Sequence, residues 1–429
     1  MSGFIHNSAR RFARALVFSP LGFPLRYVVA KLRDNWYRTA VIDRFRDKIA
    51  PLNIFVNPNA PRRINLLIPE ISFSTFFGGY IAKFNLAKKL LERGHNVRVV
   101  IVDWCEKDPQ KRRACISQYE GLSEIFDQLE IVDCHDRSVA LETHPKDAVI
   151  ATTWWTAHIA HHFVQKLECS RFIYLIQEYE PFTFAMGSYF AASHESYSFP
   201  HYALFSTELL QEFFVNNHYG VYAENHGEQR SSAFQNAIVK FHEPAKKERM
   251  QSRSLLFYAR PEAHASRNMF ETAFIALSQA IEAGVFDQDD WQFHGIGTTH
   301  NDIYLPRGHV LKMLGKLGLS DYKQCLTQHD LGLSLMYTPH PSLLPLEMAA
   351  AGMSVVTNEC MNKTAEKMQA ISPAIIAAKP TIAGVASALA DAVAGLGDTF
   401  EPAQVNWAND WDQAFSDQVM AKLESWVQS

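Results

Sequence analysis

His340-Pro-Ser-Leu-Leu-Pro-Leu-Glu-Met-Ala-Ala-Ala-Gly352-Met-Ser-Val-Val-Thr-Asn358 follows the apolar run Leu331–Met336 as a loop follows a strand. Pro345 suits the first turn of a helix, where a missing N–H costs nothing. Ala349–Ala351 are small and allow close packing. Gly352 stops the helix, and Ser354–Thr357 starts the next strand at once. Strand, loop, helix, strand is the repeating unit of a parallel sheet with crossover helices. A helix that opens after such a loop presents free backbone N–H groups to an anion such as a diphosphate. Glu347, read in the first turn, either accepts hydrogen bonds from ribose hydroxyls or complements the helix dipole.

The same alternation extends to both sides. Leu255–Tyr258, Trp291–His294 and Val310–Met313 are strand-like runs in the same half, with a helix over Met269–Ala283. The other half carries Ile64–Ile68, Val97–Val102, Glu130–Val132, Ala148–Thr152, Phe172–Ile176 and Ala203–Ser206, with a helix from about Tyr80 to Leu91 that Gly94 stops. Short, uninterrupted apolar runs are the mark of parallel strands buried on both faces. A polar stretch, Tyr222–Ser232, precedes the second half. A chain of 429 residues is too long for one core. The expected fold is therefore α/β, with two Rossmann-like doubly wound domains facing across a cleft at the carboxyl ends of their strands. The expected spans are 61–245 and 246–409, followed by a C-terminal helix over 410–429 carrying Trp411, Phe415, Val419, Leu423 and Trp426.

Residues 1–60 stand apart as a helical extension. A helix is expected from Leu25 to Ile49, with Val28, Leu32 and Trp36 on one face, before a linker containing Pro51, Pro58 and Pro61. Residues 1–50 hold ten Lys/Arg against three Asp, although the whole chain has a net charge of −4. A basic end on an acidic body suggests a separate anionic partner. An anionic membrane surface, bound through residues 1–50, is expected in preference to nucleic acid; the rival reading, which Tyr27, Trp36 and Tyr37 fit equally, is that the apolar face packs on the two α/β domains or on a partner subunit. The six cysteines, Cys105, Cys115, Cys134, Cys169, Cys325 and Cys360, form no Cys-x-x-Cys pair and fit a reducing compartment. Arginines interrupt the first apolar stretch, so no secretory leader is read there. No run reaches the length of a membrane span. A cytoplasmic chain, peripheral on the inner face of the membrane, is expected.

The candidate site residues lie at strand ends. Arg260 directly follows Leu255–Tyr258 and precedes Pro261. Arg267 and Asn268 come soon after. Gly315, Lys316 and Leu317 follow Val310–Met313, where Lys316 is either a phosphate ligand or an ordinary turn lysine. Arg offers planar, bidentate contacts to a phosphate and Lys a point charge. His340, Pro341, Ser342 and Leu343 line the quoted loop. Gly78 and Gly79 open the first helix and allow close approach of backbone to a ligand, but the three-glycine dinucleotide pattern is absent. That absence argues against a dinucleotide dehydrogenase. Trp154 and Trp155 follow Ala148–Thr152, where a ring stacks on a sugar or, for at least one of them, fills the core. His158 and His162 share a helical face at a spacing that can bind zinc, yet no third ligand follows. His158 is instead a candidate for substrate hydroxyls. Glu178 and Glu180 are candidates for acceptor hydroxyls or for salt bridges, with at most one of them expected to point to the cleft. Asp287 and Asp289 sit at the amino end of a strand, the wrong end for a ligand. No metal is expected.

Several segments together resemble the WsaF-type rhamnosyltransferases of glycosyltransferase family 4. In the second half these are Tyr258-Ala-Arg260-Pro261, Arg267-Asn268, Leu314-Gly315-Lys316-Leu317 and His340–Glu347. In the first half they are Phe77-Gly78-Gly79, Thr153-Trp154-Trp155-Thr156-Ala157, Gln177-Glu178-Tyr179-Glu180-Pro181 and Ser206-Thr207-Glu208-Leu209-Leu210. The resemblance runs from about residue 62 onward. It implies a GT-B fold, a dTDP-rhamnose donor on the C-terminal domain, a glycan or lipid-linked glycan acceptor on the N-terminal domain, and retention at the anomeric carbon. By position it implies Arg260, Arg267 and Lys316 on the diphosphate and Glu347 on the ribose, with Arg260, Lys316 and Glu347 the catalytic set. It implies no divalent metal cofactor. One departure stands out: most members carry two Glu separated by seven residues, and the first of those positions is Pro339 here. A different sugar pocket, suited to a 6-deoxy sugar, is consistent with that change. Other nucleotide sugars, or a binding scaffold on the same frame, are the alternatives.

Overall fold

A computed structural model describes residues 40–71, 78–104, 108–117, 119, 121–241, 252–297, 301–397 and 404–428. The chain divides into two compact units, residues 1–51 and 52–429. In the first, residues 40–49 are helical, with Val41 and Ile42 exposed and Arg46 paired to Asp43 at 2.8 Å. The face expected from Val28, Leu32 and Trp36 lies outside the described residues.

The second unit contains two seven-stranded sheets. In the first, strands β2 (Ile64–Ile68), β3 (Val97–Ile101), β4 (Glu130–Asp133), β6 (Ala148–Ala151), β7 (Phe172–Ile176), β8 (His201–Phe205) and β9 (Ser231–Ala233) run parallel in the order β4-β3-β2-β6-β7-β8-β9. In the second, β10 (Ser252–Tyr258), β11 (Asp290–Ile296), β12 (Ile303–Tyr304), β13 (Val310–Gly315), β14 (Leu331–Leu333), β15 (Ser354–Asn358) and β16 (Ile375–Ala378) are ordered β12-β13-β11-β10-β14-β15-β16, with only the edge pair β12–β13 antiparallel. Strand order reverses between β2 and β6 and between β10 and β14. Those are the points where ligands bind in doubly wound sheets.

Alternation along the central strands feeds a core on each sheet face. Leu66 and Ile68 join Phe84 and Val99 on one side of the first sheet, while Leu67 joins Phe163 and Phe205 on the other. Leu255 and Phe257 pack with Leu277 and Leu389 in the second domain, and Leu256 packs with Leu346 and Met348 on the opposite face.

Three features differ from the sequence reading. The stretch taken as a linker contains β1 (Asn53–Val56), which pairs in parallel with β5 (Ala140–Thr143) as a separate two-stranded sheet. Its exposure alternates and one face stays open, so it lacks the apolar run of a buried strand. The polar stretch Tyr222–Ser232 runs into β9, an edge strand of the first sheet that its polar composition hid. The final helix breaks into Trp411–Ala414 and Asp417–Gln428. It packs on the first domain: Met420, Leu423 and Trp426 join the Leu66 core, and Trp426 stacks on Tyr202 with ring centroids 5.3 Å apart. The chain thus crosses between domains twice. The two crossings are bonded to each other, Trp407 Nε1 donating to the Asn236 carbonyl at 2.7 Å and Ile238 N–H to Ala408 at 3.0 Å.

Direct contacts also join the domains. Lys367 Nζ lies 2.5 and 2.6 Å from the two Glu212 oxygens, and Asn362 Nδ2 donates to the Leu209 carbonyl at 2.8 Å. Gly297, just past β11, has a specific role. A Cβ there would meet the Ala259 carbonyl oxygen at 2.2 Å, so only glycine lets the chain pass this close to the start of the Arg260 loop.

Candidate functional site

The loops at the β10/β14 crossover bring Arg260, Arg267, Thr338 and His340 to the cleft side of the second domain. Arg260 is held by its own domain: Nε donates to Glu262 at 2.9 Å, one terminal nitrogen to the Tyr258 hydroxyl at 3.1 Å, and the other lies 3.3 Å from His264 Nε2. Such bonding fixes the guanidinium before any ligand arrives, which lowers the ordering cost of binding. Arg267 faces the other domain, its Nε 3.8 Å from Glu178 Oε2. Asn268 is buried, and Met269 after it takes a left-handed conformation that turns the chain into helix Phe270–Glu282. Gly315 also has positive φ, at 68°, and its carbonyl accepts the Gly297 N–H at 3.3 Å. Lys316 beyond it is exposed, and Leu317 packs on the Leu346 core.

Helix Leu343–Ala351 begins at the loop quoted first. Pro341 is buried, Leu343 packs on the core, and His340 Nδ1 accepts the Ser342 N–H at 3.0 Å. That bond leaves the ring proton on Nε2. Burial, with Lys363 and Arg267 nearby, pushes the His340 pKa down to about 3, so the ring is neutral. Ser342 has φ 66° and ψ 144°, a region that suits glycine. Ser342→Gly is expected to stabilise the protein by about 1 kcal/mol, the relief of strain outweighing the added unfolded-state entropy. Thermal melting should rise by about 1–3 °C on that scale; an unchanged or lower midpoint refutes the strain.

Glu347 falls in the second turn of this helix, not the first, because the helix starts at Leu343. It therefore does not complement the dipole. Its carboxylate accepts the Tyr322 hydroxyl and, at 3.1 Å, the Val239 N–H from the connection between domains. Burial raises its pKa.

In the first domain, Gly78 and Gly79 begin helix Gly78–Glu92, and Gln177 Nε2 donates to the Gly79 carbonyl at 2.9 Å. Trp154 and Trp155 open helix Trp154–Val164, which Thr153 caps in a reciprocal pair with Thr156. Trp154 is core, packed edge-on to Trp155, His158, Phe184 and Tyr189, while Trp155 is half-buried. His158 is also buried, its Nε2 donating to the Ala192 carbonyl at 2.9 Å and its ring against Phe199. Those contacts give it a structural role. Glu178 and Glu180 diverge because the chain has left β7 at Ile176 and enters a 3-10 turn at Glu180; on a continuing strand an i, i+2 pair would share one face. Glu178 turns to Arg267 and accepts a hydrogen bond from Thr338, while burial raises its pKa. Glu180 accepts the Trp154 N–H at 2.5 Å, and burial pushes its pKa up to about 7 against the nearby Lys83.

Two lysines at the cleft were not singled out from the sequence. Lys83, on the first helix, is buried beside the Tyr80 ring, and burial lowers its pKa to about 8. Lys363, in the loop after β15, is fully buried and donates to the Met336 carbonyl at 2.7 Å. Its place after a strand end was a readable signal; Lys83, inside a helix, gave none. Asp287 and Asp289 pair with Arg307 and Arg253, consistent with a structural turn.

Two doubly wound domains, with strand-end cations on one facing strand-end carboxylates on the other and a chain that returns to the first domain, have the GT-B architecture. The chain belongs to the WsaF family: residues 63–208 match the WsaF N-terminal domain and residues 253–390 the WsaF C-terminal domain. It is 31% identical over 261 residues to the O-antigen biosynthesis protein RfbC of Myxococcus xanthus, a match covering 58% of this chain and 18% of that protein. The chain thus spans less than a fifth of that relative's length. Among solved structures it is similar to an OtsA apo structure (TM-score 0.52, 12% identity, 85% of this chain and 97% of the other). It is also similar to an S. aureus MnaA–UDP co-structure (TM-score 0.51, 9% identity, 86% and 97%). At such identities the likeness is one of fold.

Proposed function

We propose that the chain is a glycosyltransferase that transfers rhamnose from dTDP-β-L-rhamnose to a glycan hydroxyl, with retention at the anomeric carbon, in building a bacterial surface polysaccharide. The carrying observation is the pair Arg260 and Arg267 at the carboxyl end of β10, beside the crossover. Cations there suit a leaving diphosphate. The resemblance to the rhamnosyltransferase group and Pro339 in place of a carboxylate support the 6-deoxy sugar. The name of the Myxococcus relative supports a polysaccharide acceptor. In the reaction the bond from the anomeric carbon to the phosphate oxygen breaks, and the acceptor oxygen bonds to that carbon from the same face. The acceptor proton passes to the departing phosphate. The chain's own contribution is positioning and electrostatic support of the leaving group. Lys316 joins the diphosphate ligands in this reading, and Glu347 exchanges its Val239 or Tyr322 bond for the ribose. Trp155, Glu178 and Glu180 border the acceptor side.

Calorimetry with dTDP, UDP and GDP, followed by transfer assays over a panel of nucleotide sugars, tests the reading. Preference for dTDP and turnover of dTDP-rhamnose are expected. Preference for UDP or GDP overturns the donor, and nucleotide binding without turnover of any donor overturns the enzyme. With Arg and Lys neutralising the diphosphate, transfer is expected to continue in EDTA; loss of activity restored by magnesium or manganese refutes that. Ten basic residues within residues 1–50 support docking on anionic membrane, each contributing ~1 kcal/mol near the surface. Salt-sensitive flotation with anionic liposomes, lost when the chain starts at Leu52, is expected. Equal flotation of both chains refutes it.

A further inference from the structure

We infer that Lys363, Arg267 and His340 form a phosphoryl-binding pocket in which the Glu178 carboxylate of the facing domain occupies the place of the ligand's charge. The inference rests on the donor reading above and adds to it Lys363, the loop after β15 and a displacement step.

Three donors converge on this part of the cleft. Lys363 is fully buried, its Nζ is held beyond the end of β14 by the Met336 carbonyl at 2.7 Å, and the Glu178 charge acts on it there. Arg267 also points at Glu178, 3.8 Å away, and its enclosed Nε has no hydrogen-bond partner among the described residues. His340 is 5% exposed, lies close to both cations, and its Nε2–H likewise has no partner among the described residues. A buried donor left unbonded is costly, and an enclosed cation without a full counter-charge more so. The charges do not balance: Lys363 and Arg267 are two cations, His340 is neutral, and Glu178 is one carboxylate; Glu180, the other carboxylate within reach of Arg267, is offset by Lys83 and accepts the Trp154 N–H. Burial raises the Cys360 pKa, so its thiol adds no charge, and the Glu359 carboxylate turns to the Ala365 N–H and does not act on Lys363, His340 or Glu178. A phosphoryl group with two negative charges balances the pair and takes up the free Arg267 and His340 donors. Glu178 cannot, being a monoanion too far from Arg267 for a hydrogen bond. Glu178 is then released, with a raised pKa that suits protonation beside a phosphate.

The test is titration calorimetry on the full chain with inorganic pyrophosphate, dTDP and, as the uncharged control, thymidine. Lys363→Met is expected to weaken pyrophosphate and dTDP binding by about tenfold or more, as loss of one charge-assisted contact does, and to leave thymidine unaffected. Lys363→Arg should retain most of the affinity. Glu178→Gln is expected to tighten pyrophosphate binding, because no internal carboxylate has to be displaced. If Lys363→Met does not fold, Glu178→Gln decides. Unchanged pyrophosphate affinity in folded Lys363→Met, or weaker affinity in Glu178→Gln, overturns the pocket even where dTDP still binds. Binding of pyrophosphate that depends on Lys363, without preference for dTDP, upholds the pocket while the donor reading fails.

Discussion

Arg260→Ala is expected to weaken dTDP binding by about tenfold or more, and Arg260→Ala with Arg267→Ala by roughly a hundredfold. A charge-assisted contact to an enclosed anion contributes ~1.5–3 kcal/mol, and each 1.4 kcal/mol is a factor of ten. The loss should be larger in kcat/KM than in ground-state binding, because charge on the diphosphate grows as the glycosidic bond breaks. Arg260→Lys should recover only part, since the present guanidinium divides its nitrogens among Glu262, Tyr258 and His264, a fork that an ammonium cannot reproduce. Thymidine binding is the control for folding. Wild-type dTDP affinity in both folded single variants would remove the diphosphate from this loop.

What the sequence disclosed depended on where each residue takes its environment from. β2, β3, β6 and β7 were legible because strands buried on both faces are apolar throughout. β1 and β9 were not: β1 has one open face amid Asn and Pro, and β9 is Ser231-Ser232-Ala233. The positions of Arg260 and His340 after strands were legible because the apolar runs that precede them mark the strand ends whatever the rest of the chain does; their roles toward a ligand belong to the proposal. Glu178 facing Arg267 depends on two domains meeting, which no local pattern encodes. His158 was read toward the cleft, yet Ala192 and Phe199, brought in from later elements, enclose it. Lys83 and Lys363 were missed for a general reason: a buried lysine is spelled like an exposed one, and burial is rare enough to be the poorer guess. Glu347 was correctly placed on the helix after the loop but one turn early, because Pro345 sits at the third helical position rather than at the start.

Arg98→Met is expected to destabilise the first domain by about 3–5 kcal/mol, the scale for breaking a buried ion pair by removing one partner. Arg98 emerges from β3 at 2% exposure. Its Nε donates to Asn65 Oδ1 at 2.7 Å on β2, and a terminal nitrogen donates to the Glu142 carbonyl at 2.8 Å on β5. The other terminal nitrogen lies 3.6 Å from Asp147, which is itself buried just before β6 and accepts the Arg63 N–H at 2.7 Å and Asn65 Nδ2 at 3.0 Å. One guanidinium therefore ties the central strands to the small β1–β5 sheet. Methionine fills much of the space but leaves Asp147 charged without its cation and two acceptors without donors. Asp147→Asn alone should cost less, because an amide keeps the acceptor for Arg63 and sheds the charge. Combining it with Arg98→Met should cost less than the two single losses added, since the stranded carboxylate is then gone. Thermal melting followed by a probe in the first domain is the measurement, with a fall of roughly 10 °C expected for Arg98→Met. A fall within 2 °C, or strict additivity in the double variant, would show that the Arg98 network contributes no net stability and that apolar packing alone holds these strands.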